Sequence, residues 1–190
     1  IIRLNADGTK DTSFNFGTGF NGNVLTIVPQ ADGKILVGGQ FTSYNGSTEN
    51  YIIRLNADGT KDNSFNTGTG FGGYVYTIAT QVDGKILVGG YFSTYNGSTV
   101  NRIIRLNADG TKDNSFNSGT GFNNNVLTIA TQTDGKILVG GGFQTYNGST
   151  ANRIIRLNAD GTKDTSFNTG TGFSSHVYTI VQQADDKILV

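Results

Sequence analysis

Cysteine, methionine and tryptophan are absent from this chain of 190 residues, and proline occurs once. The missing cysteine excludes disulfides and thiolate chemistry. It leaves the compartment open, because the lack of a bridge does not place a protein in the cytosol. Net charge is missing too: 14 basic side chains balance 14 acidic ones, which leaves no electrostatic footprint for nucleic acid or an anionic membrane. The longest apolar runs are about four residues, against the roughly 20 that a membrane-spanning helix needs, and no membrane insertion is expected. There is one histidine, His176, and one glutamate, Glu49. A Ser-His-Asp triad would have to gather His176 with partners from an otherwise repeated set, and zinc would find no second histidine or cysteine. Pairs such as Asp7 and Asp11 have the residue types a glycosidase requires, but they flank a turn, where solvation is the default. No catalytic residue and no enzymatic activity are expected.

What the chain has instead is repetition. Asp32-Gly33-Lys34-Ile35-Leu36-Val37-Gly38-Gly39 returns at Asp83 to Gly90 and Asp134 to Gly141, and starts again at Asp185. Ile-Ile-Arg-Leu-Asn-Ala-Asp-Gly-Thr-Lys-Asp begins at Ile1, Ile52, Ile103 and Ile154, a step of 51 residues without insertions. Residues 52–102 and 103–153 differ at 9 of 51 positions, which reads as recent divergence. A period of this size points to propellers or solenoids, in which each unit buries its core against its neighbour. The 28 glycines fall at fixed places in the repeat, so they read as turn and packing residues rather than as a flexible linker.

Within one repeat, Ile1 to Asn5 reads as a β-branched strand closed by Ala6-Asp7-Gly8, and a second short strand carries Phe14. A loop from Asn15 to Asn23, built on Gly17-Thr18-Gly19-Phe20, leads to a third strand, Val24 to Val28. That strand turns at Asp32-Gly33 into a fourth, Lys34 to Gly39, and Phe41 to Tyr44 runs into a further turn at Asn45-Gly46. Asp-Gly and Asn-Gly are strong hairpin signals, since both central positions of a type I′ turn require positive φ. Apolar residues occupy both faces of the fourth strand, Ile35 and Val37 on one and Leu36 on the other, as in sheets covered on both sides. Nothing has helical spacing. The fold class expected is all-β: a β-propeller-type array of four-stranded antiparallel blades on a 51-residue repeat. Gly38-Gly39 then marks close sheet contact or a bulge, and the stripe of Phe and Tyr reads as core packing.

The chain is expected to be a single repeat array over residues 1–190, with repeats at 1–51, 52–102, 103–153 and a partial one at 154–190. Both ends fall inside expected strands, so the array reads as a stretch of a longer or processed chain. Two closures remain open. The ends could pair in a two-plus-two seam to complete a four-bladed ring, which would remove free sheet edges. Alternatively, further repeats outside these residues build a larger ring or an open, filament-like stack.

The run Asp-Gly-Lys-Ile-Leu-Val-Gly-Gly-x-Phe, then Tyr-Asn-Gly, then Arg-Ile-Ile-Arg-Leu-Asn-Ala-Asp-Gly-Thr-Lys-Asp-x-Ser-Phe-Asn resembles the delta-60 repeat family of bacterial β-propellers, over the whole chain. That resemblance implies a large secreted or cell-surface protein, often alongside adhesion-type modules, and offers no catalytic residues to carry over. This sequence departs from the pattern at Asp186, where the other copies have Gly33, Gly84 and Gly135. A non-glycine in that left-handed position makes the last turn less ideal.

Candidate sites follow from the repeated motifs. Asn5, Asp7 and Asp11 place oxygens around a glycine turn, as part of a calcium loop would, but the bidentate glutamate is missing and Lys10 intrudes. No cofactor is expected, with calcium kept as the one candidate. Asn45, Asn96 and Asn147 each begin an Asn-x-Ser sequon, a glycan acceptor when it lies on a surface loop. The Gly17-Thr18-Gly19 loop does not read as a phosphate cradle, because no helix follows it. The copies differ most at Asn21 to Asn23 and its counterparts Gly72 to Tyr74, Asn123 to Asn125 and Ser174 to His176, and at Gln40, Tyr91 and Gly142. These loops are expected either simply to face water or to share one rim as a contact surface, with Tyr74, Tyr76, Tyr91 and His176 as the contact candidates. The function expected first is that of a non-catalytic extracellular structural protein, self-associating into a surface appendage or fibril. The alternative is a closed propeller that binds glycans or surface proteins through its loop rim.

Overall fold

The computed structural model describes residues 1–190 and is built of strands and turns, with no helix. Val24–Pro29 (β1) pairs antiparallel with Ile35–Gly39 (β2), and after a short ribbon of Ser43–Tyr44 (β3) and Ser47–Thr48 (β4) the chain returns as Ile52–Leu55 (β5) to the other edge of β2. The same order follows in Tyr74–Thr80 (β6), Ile86–Tyr91 (β7), Thr94–Tyr95 (β8), Ser98–Thr99 (β9) and Ile103–Leu106 (β10). It follows again in Val126–Thr131 (β11), Ile137–Gly141 (β12), Thr145–Tyr146 (β13), Ser149–Thr150 (β14) and Ile154–Leu157 (β15). Val181–Gln182 (β16) and Ile188–Leu189 (β17) close the chain as a hairpin that pairs only with itself. The two-plus-two seam therefore does not form in this structure.

Each main sheet has three strands rather than the expected four. The segment expected as a strand at Phe14 is reduced to one bridge, Leu4 to Lys10, and likewise Leu55 to Lys61 and Leu106 to Lys112. The next residues turn instead of pairing, because Asp11 Oδ1 accepts hydrogen bonds from the backbone N of Ser13 at 2.8 Å and from its hydroxyl at 2.7 Å. A short acidic side chain that bonds its own backbone two residues on competes with the ladder. Ile1 to Asn5, also expected as a strand, makes only that bridge. Its copies become β5, β10 and β15 because each pairs with the Ile-Leu-Val strand before it.

The two kinds of hairpin signal also resolve differently. At Asn45-Gly46 both residues have positive φ, 49° and 79°, as a type I′ turn requires. At Asp7-Gly8 and Asp32-Gly33 only the glycine does. Gly8 N donates to Asn5 O at 3.0 Å and Asn5 N to Thr9 O at 2.8 Å, so the Asp-Gly loops are three-residue turns ending in a left-handed glycine. Asp186 adopts that conformation without a glycine, at φ 64°, and keeps both backbone bonds of its turn.

The sheets stack face on face. Leu36 and Ile52 of the first sheet join Val75, Ile78 and Val88 of the second in one core, and Leu87 and Ile103 of the second join Val126, Ile129 and Val139 of the third. Beside each central strand, Phe41, Phe92 and Phe143 lie 4.3–4.5 Å, centroid to centroid, from Phe20, Phe71 and Phe122. The paired glycines do two jobs. A Cβ on Gly89 would meet Val126 Cγ1 at 2.4 Å and Thr77 Cγ2 at 2.8 Å, so the first glycine sets the distance between sheets. A Cβ on Gly90 would meet Tyr74 O at 2.1 Å, where the register slips between Val75 and Thr77 as a bulge. Replacing Gly89 by alanine should cost about 1–3 kcal/mol by overpacking, read as a lower urea midpoint; an unchanged midpoint would refute this role for the glycine.

Candidate functional site

The repeated Ala-Asp-Gly hairpin is where successive repeats are joined. Its three carbonyls point away from its own sheet and each is taken by a donor from the repeat before. Ala57 O accepts from Arg3 Nη1, Asp58 O from Asn15 N at 2.7 Å, and Gly59 O from Tyr44 Oη at 2.6 Å. At the next junction, Ala108 O accepts from Arg54 Nη1 at 2.5 Å, Asp109 O from Asn66 N at 2.7 Å, and Gly110 O from Tyr95 Oη. Arg105, Asn117 and Tyr146 do the same for Ala159, Asp160 and Gly161. Tyr44, Tyr95 and Tyr146 are buried and stacked on Phe20, Phe71 and Phe122, so each hydroxyl arrives at its carbonyl already oriented.

The arginine of this latch is itself held. Arg54 Nε donates to Asp62 Oδ2 at 2.7 Å, its Nη2 to Ser64 Oγ at 3.3 Å, and its Cζ lies 4.6 Å from the centre of the Phe65 ring. Lys34 Nζ, from the hairpin between β1 and β2, reaches the same Asp62 oxygen at 3.0 Å. Lys85 and Arg105 meet at Asp113 in the same way. Burial pushes the Asp62 and Asp113 carboxyls up, but hydrogen bonds from Ser64 and Ser115 and from the paired Lys and Arg outweigh it, so both sit well below the usual carboxylate range. Asp11 is held at about 2, chiefly by Ser13 and then by Arg3.

The calcium candidates are not assembled into a cage. Asp7 Oδ1 accepts from Thr9 N and Thr9 Oγ1, Asn5 Nδ2 donates to Thr9 Oγ1, and Asp11 is committed to Arg3 and Ser13. No group of three or more His, Cys, Asp or Glu side chains is placed to hold a metal ion. The sequon asparagines have a structural task. Asn45 Oδ1 accepts from Gly19 N at 2.9 Å, and Asn96 Oδ1 from Thr69 N at 3.2 Å. Each amide lies flat against the glycine of the preceding loop: a Cβ on Gly17 would meet Asn45 Oδ1 at 2.5 Å, and one on Gly68 would meet Asn96 Oδ1 at 2.2 Å. The side chains are exposed in their turns.

The two variable stretches, separated by about 17 residues in sequence, adjoin in space. Asn23 Nδ2 donates to Gln40 Oε1 at 3.0 Å, and in the second repeat the corresponding pair is Tyr74 and Tyr91, cross-strand partners with ring centres 6.4 Å apart. Tyr76 lies 6.4 Å from Tyr74 on the same face. Sequence reasoning missed two further members. Tyr51 stands edge-on to Tyr74 at 5.7 Å, and the Arg102 guanidinium carbon lies 4.5 Å from the Tyr91 ring centre. Their sequence signal was available: Tyr51, Arg102 and Arg153 occupy one repeat position, and all three have positive φ, 68–69°. His176 is not part of this group. It sits beside Gly142, with its ring 5.9 Å from that of Tyr178.

The family described as a domain of unknown function (DUF5122) beta-propeller matches residues 1–14, 30–65, 81–116 and 132–167, more than half of the chain. No curated protein matches it. The matched segments hold the latch arginines, the Asp-Gly hairpins and Tyr44, Tyr95 and Tyr146, whereas Tyr74 and Tyr76 lie outside them.

Replacing Tyr95 by phenylalanine should strand the Gly110 carbonyl and cost about 1–3 kcal/mol, seen as a lower urea midpoint with unchanged strand content. Asp62 and Asp113 titrate lower folded than the roughly 3.9 of an unfolded chain, so between the two values the unfolded state binds more protons. Their stabilisation should be complete above about pH 4 and be lost as the pH falls below it; in a series of urea midpoints against pH, Asp62→Asn should flatten this acid limb.

Proposed function

Because the chain belongs to the DUF5122 beta-propeller family of domains of unknown function, we propose that it is a non-catalytic structural repeat protein. Each 51-residue unit is read as a four-stranded blade whose outer strand is shortened to the bridges at Lys10, Lys61 and Lys112. The observation that carries the reading is the latch of three carbonyls and three donors, which is the same at all three junctions. Identical junctions let units be added without inventing a new interface, so an array of them suits a surface appendage or fibril formed by self-association with other copies of the repeat. The delta-60 resemblance supports an extracellular or cell-surface location.

A second reading has its own support. The rim loops of the second repeat carry the exposed Tyr74 and Tyr91 side by side, and exposed aromatics on a rigid frame suit glycan or protein contact. Electron micrographs of the native material distinguish the two. A continuous fibre with a repeat along its axis is expected; discrete rings would overturn the structural reading and leave the rim-binding one.

A further inference from the structure

The tyrosine group of the second repeat surrounds a cation with no counter-ion. Arg102 has no carboxylate within ion-pair distance, unlike Arg3, Arg54, Arg105 and Arg156, each of which is paired with an aspartate. Its Nη1 donates to Phe92 O at 2.7 Å, and its Nε is buried without a partner. Its Nη2 makes no hydrogen bond within the chain, yet it is not among the buried unpaired atoms. Solvent therefore reaches the guanidinium at Nη2, where a carboxylate can accept one charge-assisted hydrogen bond, while Nε stays closed off. The Tyr91 ring fixes the guanidinium from one side at 4.5 Å. Tyr91 and Tyr74 are 49 % and 38 % exposed, so the patch is reachable from solvent.

From this geometry we infer that Tyr51, Tyr74, Tyr76, Tyr91 and Arg102 form a binding site for an acidic carbohydrate, with sugar rings lying on the tyrosine faces and a uronate carboxylate on Arg102. The inference rests on the rim-binding reading and names its ligand class. Tyr74 and Tyr91 each offer an exposed flat apolar face and a hydroxyl, which matches a pyranose with its apolar C–H face and its hydroxyls, while the half-buried Tyr51 and Tyr76 back them. The unpaired guanidinium then selects the charged sugar over the neutral one. The other repeats serve as internal controls. Arg153 has the same backbone conformation and the same orphaned Nε, and its Nη1 donates to Gly142 O and, at 3.4 Å, to Phe143 O, but Gly142 stands where Tyr91 would be, so it has a cation without a platform. The first repeat has Asn23 and Gln40 in place of Tyr74 and Tyr91, hydrogen-bonded to each other.

The test is a titration of the whole chain with an oligogalacturonate, followed by tyrosine emission, which no tryptophan obscures. Saturable binding is expected, weakened about tenfold or more by Arg102→Gln, by Tyr91→Ala and by full methyl esterification of the oligomer, and unchanged by Arg153→Gln. If Arg102→Gln fails to fold, Arg102→Lys, which keeps the charge but loses the planar guanidinium held against Tyr91, should show the same loss. Binding by Arg102→Gln equal to the parent, or equally tight binding of an oligoglutamate of the same length, would overturn the inference. If the ester binds as well as the acid and Tyr91→Ala still abolishes it, the acidic-ligand inference fails while the rim-binding reading stands. If neither form binds at roughly millimolar concentration, both fail.

Discussion

Backbone carbonyls at a hairpin tip must find donors once the tip is pressed against another sheet and water is excluded. That constraint organises this molecule. Gly59, Gly110 and Gly161 are buried at their tips, whereas Gly8, the one tip with no repeat before it in these residues, is exposed. The donors that answer them come from three separated places in the preceding repeat: the arginine of the Ile-Ile-Arg-Leu segment, the backbone at the start of the glycine loop, and a tyrosine from the short ribbon. For all three to converge, the preceding sheet must already be folded with its aromatic cluster in place. The latch therefore couples the folding of one repeat to the next, as expected where each unit contacts mainly its neighbours.

The charged groups serve this same junction. A guanidinium that must reach across to a neighbour's carbonyl has to be desolvated, and leaving it unpaired would be costly. Asp62 and Ser64 satisfy the Arg54 end, Asp62 being shared with Lys34, and Phe65 covers its face. Many of the ionic groups are in this sense spent on one another at the repeat junctions. Arg102 and Arg153 are the arginines without a carboxylate partner.

Freedom to vary is left where these junctions make no demand. The positions at Asn23, Tyr74 and Asn125 and at Gln40, Tyr91 and Gly142 lie at the end of the sheets away from the Asp-Gly tips, and in the first two repeats their side chains meet each other. The pairs change together, an amide pair in one repeat and a tyrosine pair in the next, because the bulge at Gly39 and Gly90 places them side by side. A scaffold repeated with few changes, several of them gathered at one end, is suited to present different surfaces without refolding.

By itself the sequence determined the period, the absence of helix, the two-faced burial of the Ile-Leu-Val strands and the positions of the turns, because these are local consequences of side-chain alternation and of glycine placement. It also marked Tyr74, Tyr76, Tyr91 and His176 as contact candidates; Tyr74, Tyr91 and His176 are exposed and Tyr76 is half-buried. It misread the Asp-Gly turns as type I′ and overcounted the strands of each main sheet by one. In each case the aspartate oxygens bond donors two residues on or the partnered arginine, a competition that propensity alone does not settle. Only the tertiary structure decided what the Ala-Asp-Gly motif is for and who stands beside the tyrosines. Ala57 and Arg3 are 54 residues apart, as are Ala108 and Arg54, and Tyr51 and Arg102 flank Tyr74 and Tyr91 through the stacking and folding back of separate strands. Contacts between repeats depend on how sheets stack, and that distance is set by the volume missing at Gly38, Gly89 and Gly140.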